Sequence, residues 1–247
     1  MTLIARLKDV HKSFGSNHVL QGINLSLTAG RCTFVVGPSG TGKSVLVRHI
    51  VGLLFPDSGE VYYQDTRVDE LSEEALFQLR KKCVYVFQHP TLFDSMSVLD
   101  NVALVSKYHL DVSTDKAGER ALAELQRMGL AHLADSRPTE LAMGEQKMVS
   151  LARALALDPE TLILDEPTTG LDPYAAYKLD QQTANLTESG ATLLVISHDL
   201  RSIHRLAHEV VFLFKGKVRF QGPKDDFFSS TDNVVRQFVE GRVDGEI

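Results

Sequence analysis

The sequence predicts an α/β fold with a mainly parallel sheet, an antiparallel β layer at the N terminus and an inserted helical segment. Short apolar runs such as Cys32–Val36 and Thr192–Ile196 alternate with helical patterns, as strands and connecting helices do in a parallel sheet. Between residues 90 and 158 helical patterns predominate and interrupt this alternation. We therefore expect one domain, residues 1–247, with a helical subdomain at about 90–158.

Composition narrows the classes of function. The net charge of −6 and the lack of a Lys/Arg run argue against nucleic-acid binding, which needs concentrated positive charge. No apolar run approaches the roughly 18 residues that a membrane-spanning helix needs, and the first residues lack a secretory-signal pattern. We expect a cytosolic chain with no nucleic-acid partner. Cys32 and Cys83 lie in predicted strands and are expected to be buried thiols.

The first part of the chain predicts the antiparallel layer and the beginning of the parallel sheet. Residues 3–10 and 21–27 alternate polar and apolar side chains around a turn at 15–17, which is typical of paired antiparallel strands. Ser72 precedes two acids and predicts a helix N-cap. The other elements predicted here are a strand at Cys32–Val36, a helix at 45–51, a strand at 60–63 and a strand at 83–87.

The second part predicts the helical segment and a return to the sheet. Ala121, Leu122, Leu125 and Met128 are spaced to share one face of a helix that ends at Gly129. The remaining predicted elements are a helix at 147–157, a strand at 162–164, a helix at 174–188, a strand at 192–196, a further helix and a hairpin around 215–217.

The segment 37–44 fits the pattern G-x-x-x-x-G-K-S of a phosphate-binding loop. It lies between a predicted buried strand and a predicted helix, so backbone N–H groups of the turn can surround phosphate oxygens. Lys43 would contact the β and γ phosphates, and Ser44 would bind Mg²⁺. A glycine-rich turn that binds nothing is disfavoured because every position of the pattern matches. The predicted ATP-binding residues are Gly37, Pro38, Ser39, Gly40, Thr41, Gly42, Lys43, Ser44 and Val45.

Polar side chains follow three other predicted strands. Asp165 and Glu166 end the strand at 162–164: the first carboxylate would hold Mg²⁺, and the second would orient and deprotonate an attacking water. Gln88 could reach both the metal and the water. His198 could donate a hydrogen bond to the γ-phosphate. A lone glutamine or histidine at a strand end is more often incidental, so only the combination of these residues indicates a site.

In this order, and with Leu141-Ala142-Met143-Gly144-Glu145-Gln146 before a helix, these motifs resemble those of the ATP-binding cassette (ABC) family over nearly the whole chain. The resemblance implies a P-loop NTPase core and a head-to-tail homodimer that closes on two ATP molecules and opens after hydrolysis. It also assigns individual roles. Phe14 would stack on adenine, Gln88 would be the Q-loop residue, Lys43 and Glu166 would be catalytic with Glu166 as general base, His198 would be the switch histidine, and Asp172 would lie in the D-loop. On residue chemistry alone, Phe14 is equally compatible with core packing.

The signature segment departs from the family pattern Leu-Ser-Gly-Gly followed by Gln or Glu. Ala142 and Met143 stand at the Ser and first Gly positions, whereas Gly144 and Glu145 keep the register. The hydroxyl that would touch the γ-phosphate of the partner copy is therefore absent. Backbone N–H groups at the helix start are expected to remain available to ATP, together with Ala142, Gly144 and Glu145. We expect slow turnover.

Three function classes compete: a transporter motor, a soluble cassette acting on DNA or ribosomes, and a small-molecule kinase. A kinase has no use for the signature segment or for His198. The chain has neither the long coiled coil nor the tandem arrangement of the soluble cassettes. The motor of a transporter is favoured, which implies a transmembrane permease that contacts the Q-loop and the helical subdomain. It also implies a place on the cytoplasmic face of the inner membrane.

Residues 91–102 after Gln88 and the tail 235–241 resemble the ATPase subunits of Mce/Mla-type transporters, which move phospholipids between bacterial membranes. This resemblance implies phospholipid cargo and an Mce-domain lipid-binding protein as a further partner. The alternative is the ATPase subunit of an importer of amino acids or other small solutes, since such motors share every catalytic motif.

Overall fold

The chain folds around two sheets, as a computed structural model that describes residues 2–242 and 244–245 shows. The antiparallel sheet has the order β2-β1-β4-β5 and consists of β1 (Leu3–Phe14), β2 (Asn17–Thr28), β4 (Ser58–Tyr63) and β5 (Thr66–Arg67). The second sheet has the order β10-β9-β3-β8-β7-β6. Its strands are β3 (Cys32–Val36), β6 (Cys83–Val86), β7 (Thr161–Asp165), β8 (Thr192–Ile196), β9 (Glu209–Phe214) and β10 (Lys217–Pro223).

Helices cover and connect these sheets. Those of the described residues are α1 (Lys43–Ile50), α2 (Glu73–Lys82), α3 (Val98–His109), α4 (Thr114–Arg127), α5 (Met143–Leu155), α6 (Pro173–Glu188), α7 (Leu200–Leu206), α8 (Lys224–Phe228) and α9 (Asn233–Glu240). Short 3-10 turns occupy Val68–Glu70, Ala131–Leu133 and Pro138–Glu140. Among these helices, none is long and apolar enough to cross a membrane.

The second sheet is parallel except at β10, which pairs antiparallel with β9. This confirms the predicted α/β fold with an N-terminal antiparallel layer. Because β3, β6, β7 and β8 run in one direction, their carboxyl ends meet at one edge. The residues that directly follow these strands are therefore neighbours in space although they are far apart in the sequence.

Both faces of the parallel sheet are buried, which explains why its strands are continuous apolar runs. Phe34 and Leu162 belong to the core beneath the helical segment, whereas Val35 and Ile163 belong to the core shared with the N-terminal layer and α1. Successive strand residues face opposite sides, so one strand contributes to both cores.

Helices α3, α4 and α5 lie between β6 and β7 in the chain. Ala121, Leu125 and Met128 are buried there, whereas Leu122 is 37% exposed, so its assignment to the same face was wrong. Positions 121, 125 and 128 follow the helical repeat, whereas residue 122 is rotated by about 100° from residue 121. Buried residues of these helices form one continuous cluster with those of the sheet.

The start of α5 also differs from the prediction. The helix begins at Met143, not at residue 147, and it ends at Leu155. Glu145 Oε2 accepts a hydrogen bond from the backbone N–H of Ala142 at 2.9 Å. This bond satisfies a free donor at the helix start, and so the signature residues join the first turn.

Candidate functional site

The loop between β3 and α1 needs glycine at two positions for different reasons. Gly37 has a φ of 144°, and a Cβ atom there would lie 2.2 Å from the carbonyl oxygen of Leu213. Gly42 caps α1 with a φ of 95°, and a Cβ atom there would lie 2.8 Å from Cγ1 of Val19. No side chain caps the N terminus of α1. The loop therefore packs tightly against the sheet while the helix start remains free for an anion.

Lys43 is largely buried and turns back towards the loop. Its Nζ donates hydrogen bonds to the carbonyl oxygens of Gly37 at 2.8 Å and Pro38 at 2.9 Å. Burial lowers the pKa of Lys43 below its ordinary range, while the negative charges of Glu166 and Asp165 oppose that shift. The ammonium group is thus held at the loop and attracted by both strand-end carboxylates.

Asp165 is buried at the end of β7 and has a partner for each oxygen. Ser44 Oγ donates to Oδ1 at 3.1 Å, and the Tyr85 hydroxyl donates to Oδ2. Tyr85 lies on β6, the neighbouring parallel strand. The hydroxyl of the loop serine and the carboxylate are therefore held side by side at the sheet edge.

Glu166 occupies a strained position just beyond β7. Its φ of 48° lies in the left-handed region, which costs a non-glycine residue energy and is frequent at functional sites. Its backbone N–H donates to Ile196 at 2.9 Å. Oε2 accepts from Thr169 Oγ1 at 2.9 Å and lies 2.9 Å from Nδ1 of His198. Two side chains from different segments therefore orient one carboxylate.

These groups line one open cavity of about 420 Å³. The predicted residues that it brings together are Ser39, Gly40, Gly42, Lys43, Ser44, Val45, Gln88, Asp165, Glu166 and His198, with Thr169 and Ile196 beside them. A larger groove of about 810 Å³ lies at the amino ends of β7 and β8, and it includes none of these residues. The smaller cavity is therefore the candidate functional site, because the side chains that follow the strands line it.

Other predicted residues lie outside that lining. Phe14 ends β1, is 49% exposed and has Lys12 Nζ 5.6 Å from its ring centre, so it is not a core residue. Ala142, Gly144, Glu145 and Asp172 do not line the cavity either. Asp172 Oδ1 instead accepts from the backbone N–H groups that open α6, at 2.9 and 3.0 Å.

The expectation that backbone N–H groups at the start of α5 remain available is wrong for Ala142. The N–H of Ala142 is not free for a ligand, because the Glu145 carboxylate accepts its hydrogen bond. Alanine offers no side-chain oxygen that could complete this cap in the other direction. Glu145 therefore has a structural contact that its spacing alone did not reveal.

Two residues that contribute to the site, Tyr85 and Lys147, were not among the predicted site residues. Tyr85 was treated only as part of a buried strand, and Lys147 only as the first residue of a helix. A tyrosine in a buried strand needs a partner for its hydroxyl, and that requirement was an available signal. Lys147 shares the helical repeat of Leu151 and Ala154, both buried, so a lysine on the apolar face was the second signal.

Comparison with known proteins agrees with this geometry. The family pattern described as ABC transporter matches residues 20–169. Protein TRIGALACTOSYLDIACYLGLYCEROL 3 of Arabidopsis thaliana is 36% identical over 99% of this chain and 76% of its own length. The arginine/ornithine transport ATP-binding protein AotP of Pseudomonas aeruginosa is 33% identical over 95% and 97%. The intermembrane phospholipid transport system ATP-binding protein MlaF of Escherichia coli is 32% identical over 98% and 90%.

Solved structures of ATP-binding cassettes are also similar to this chain. The dimeric structure of a post-hydrolysis state of the ATP-binding cassette MJ0796, bound to ADP and Pi, superposes with a TM-score of 0.81 at 31% identity. The match covers 90% of this chain and 99% of that one. From the loop, the strand-end carboxylates and these matches we conclude that the chain belongs to the ABC transporter family and is an ATP-hydrolysing cassette.

Proposed function

We propose that the chain is the motor subunit of a membrane transporter and that the cavity at the sheet edge binds Mg-ATP. One observation carries the proposal: a phosphate-binding loop, a lysine, a hydroxyl beside a carboxylate and a second, oriented carboxylate share one cavity. These are the groups that phosphoryl transfer requires. The loop from Gly37 to Val45 binds the phosphates, and Phe14, half-exposed at the end of β1, stacks on the adenine.

Ser44 and Asp165 fit a magnesium ion. Mg²⁺ takes oxygen ligands and usually binds through one or two protein groups together with phosphate and water oxygens. A hydroxyl and a carboxylate 3.1 Å apart beside the loop supply such donors, and Gln88 adds an amide oxygen. In the part of the chain that the structure describes, no cluster of three or more His, Cys, Asp or Glu residues could hold a metal alone. Bound with the nucleotide, such an ion would neutralise charge on the phosphates.

Glu166 acts as the general base. Its carboxylate is already oriented by Thr169 and His198, so little reorganisation is needed when water binds. It takes a proton from the water whose oxygen attacks the γ-phosphorus, and the bond from that phosphorus to the bridging oxygen breaks, leaving ADP and phosphate. Lys43 and the loop N–H groups stabilise the charge that moves onto the leaving oxygen.

The signature segment serves a second copy of the chain. Ala142 and Met143 are exposed at the start of α5 and lie outside the cavity of their own copy. In a head-to-tail dimer, these exposed residues at a helix start would contact an anion, the γ-phosphate of the ATP that the partner copy binds. The related cassette of known structure is dimeric, which supports this arrangement. Gly144, Glu145 and Asp172 lie in or beside the same interface.

A permease docks beside the Q-loop. Phe77, Phe87 and Tyr108 are large side chains that are 40%, 44% and 71% exposed, on α2, before Gln88 and on α3. The Phe77 ring stacks on His109 with centroids 4.9 Å apart, so α2 and the helical segment meet at this surface. Exposed aromatic side chains where two elements meet suit an amphipathic helix of a partner. The motor would then sit at the cytoplasmic face of the inner membrane through its permease.

Phospholipid is the proposed cargo of the complex, with an Mce-domain protein as a further component. The similarity to MlaF and the segment 91–102 support it. Side-chain hydrogen bonds hold this segment in position. Asn101 accepts from the N–H of Phe93 and donates to its carbonyl, and Arg153 donates to the carbonyl of Thr91. The second candidate is an amino-acid importer, favoured by the similarity to AotP.

Purification with its partners separates these two candidates. The chain would be tagged and co-expressed with the genes that flank its own, and the membrane complex would be isolated and extracted for lipid. We expect a permease, an Mce-domain protein and co-purified phospholipid. Recovery of an amino-acid permease with a soluble binding protein would establish the second candidate instead.

A further inference from the structure

Lys147 is a buried lysine that binds three backbone carbonyl groups. Its Nζ donates to the oxygens of Glu166 at 3.2 Å, Pro167 at 2.9 Å and Thr169 at 2.7 Å. An ammonium group has three hydrogens, so all of its donors are used by one turn of the chain. Only 7% of the residue is exposed, and burial lowers its pKa below the ordinary range of lysine.

A charge at this position needs a reason, because burying an ammonium group costs free energy that a nonpolar side chain would not lose. The buried neighbours Met148 and Leu151 on α5 show which residues the packing alone would favour. The gain must therefore come from the three hydrogen bonds, which hold the turn that follows β7.

That turn determines where the carboxylate of Glu166 lies. Glu166 has a φ of 48°, and its Oε2 is hydrogen-bonded by Thr169 Oγ1 from the far end of the same turn. A strained backbone persists only where the surroundings hold it in place. Lys147 donates hydrogen bonds to the carbonyl oxygens of both Glu166 and Thr169. It therefore restrains the backbone of the carboxylate residue and the backbone of the residue that orients it.

We infer that Lys147 is a positioning residue: it holds Glu166 ready for water and connects that carboxylate to the signature residues that begin its own helix. The inference rests on the proposed function. Ala142 and Met143 would meet the ATP of a second copy, while Lys147, about one turn further along α5, restrains the base of its own copy. When the dimer closes on the signature residues, a shift of α5 would be transmitted through Lys147 to Glu166 of the same copy.

The test compares Lys147→Met with Lys147→Arg in the assembled complex, using steady-state ATPase rates. Lys147→Met keeps an unbranched side chain, one atom shorter, but removes the donors, and we expect kcat to fall roughly tenfold or more with KM for ATP changed less than about twofold. Lys147→Arg keeps donors and charge, so it should retain clearly more activity than Lys147→Met. Lys116→Met, at an exposed lysine of α4, is the matched control and should leave kcat unchanged.

A second measurement separates positioning from support of the helix. In a Glu166→Gln background, Lys147→Met should still form the ATP-loaded dimer on size-exclusion chromatography with MgATP, because the signature surface is intact. Loss of that dimer would overturn the inference, since Lys147 would then act by holding α5. A native kcat in Lys147→Met would overturn it as well.

Two controls keep the result interpretable. Thermal unfolding would show that the variant is folded, and if Lys147→Met is not, Lys147→Leu takes its place under the same criteria, because leucine also removes every donor. A wild-type complex without ATPase activity would contradict the proposed function. An active wild type with an equally active Lys147 variant would contradict only this inference.

Discussion

Nδ1 of His198 lies 2.9 Å from Oε2 of Glu166, although the two residues follow different strands of the sheet. The carboxylate is mostly buried, whereas the imidazole is 63% exposed towards solvent. Because β7 and β8 are parallel neighbours, their carboxyl ends bring the two side chains together. The contact occupies Nδ1, so a hydrogen bond to a γ-phosphate oxygen would come from Nε2, in the imidazolium form that donates from both ring nitrogens.

His198→Ala should lower the ATPase rate of the assembled complex about 100-fold, the low end of what one hydrogen-bond donor to the developing charge contributes. The substitution removes one of the two side chains that orient Glu166 and the proposed phosphate contact. ATP binding should change little, because the loop is untouched. His132→Ala, at an exposed histidine, is the control. A rate within threefold of the wild type would contradict the proposed role.

Glu166→Gln should leave ATP binding intact and trap a closed, ATP-loaded dimer. The amide keeps the size of the side chain but cannot take a proton from water. Size-exclusion chromatography with MgATP detects the dimer. Lys43→Ala is the control: it removes the ammonium group at the loop, should weaken ATP binding and should not form the dimer. If Glu166→Gln hydrolyses ATP at the native rate, Glu166 is not the base.

The double change Ala142→Ser with Met143→Gly should raise the ATPase rate of the complex. A hydrogen bond to a charged group is worth about 1.5–3 kcal/mol, which corresponds to roughly ten- to hundredfold in rate if it acts in the transition state. Met143 is 46% exposed, so its side chain stands where two copies would approach. Steady-state ATPase assays of both versions check this.

Binding of ATP to the isolated monomer is the control for that change, and we expect it to be unaffected because the signature would act across the dimer. An unchanged or lower ATPase rate would mean that the site is adapted to its present signature. The bond from Ala142 N–H to Glu145 gives such an adaptation a structural basis.

Stability should fall below neutral pH, in part because of His49. Burial lowers the pKa of His49, a residue of α1 whose ring lies 2.6 Å from the carbonyl of Val45. The unfolded chain then takes up a proton at pH values where the folded chain does not, so the free energy of unfolding decreases as pH falls below the ordinary histidine pKa of about 6.5. Urea unfolding at pH 7.5 and 5.5 measures this decrease. It should be smaller in His49→Gln, whereas the exposed-site variant His132→Gln should behave like the wild type.

Local patterns were sufficient for most of the fold. The loop at 37–44 was recognisable because its chemistry depends on consecutive residues, and the strands were recognisable because a sheet buried on both faces requires continuous apolar runs. The same local reasoning failed at Leu122 and at the start of α5, where the outcome depends on which face is packed and on one side-chain cap.

The sequence by itself determined which chemical groups follow which strands, and the direction of the parallel strands then placed them at one edge. Only the tertiary structure decided which groups bond to which. Tyr85 donates a hydrogen bond to Asp165, Lys147 donates one to the carbonyl of Glu166, and Glu145 accepts one from the N–H of Ala142. The first two of these bonds join residues on different elements. Such partners are selected by how strands and helices pack, since a hydrogen bond depends on distance and direction in space rather than on spacing along the chain.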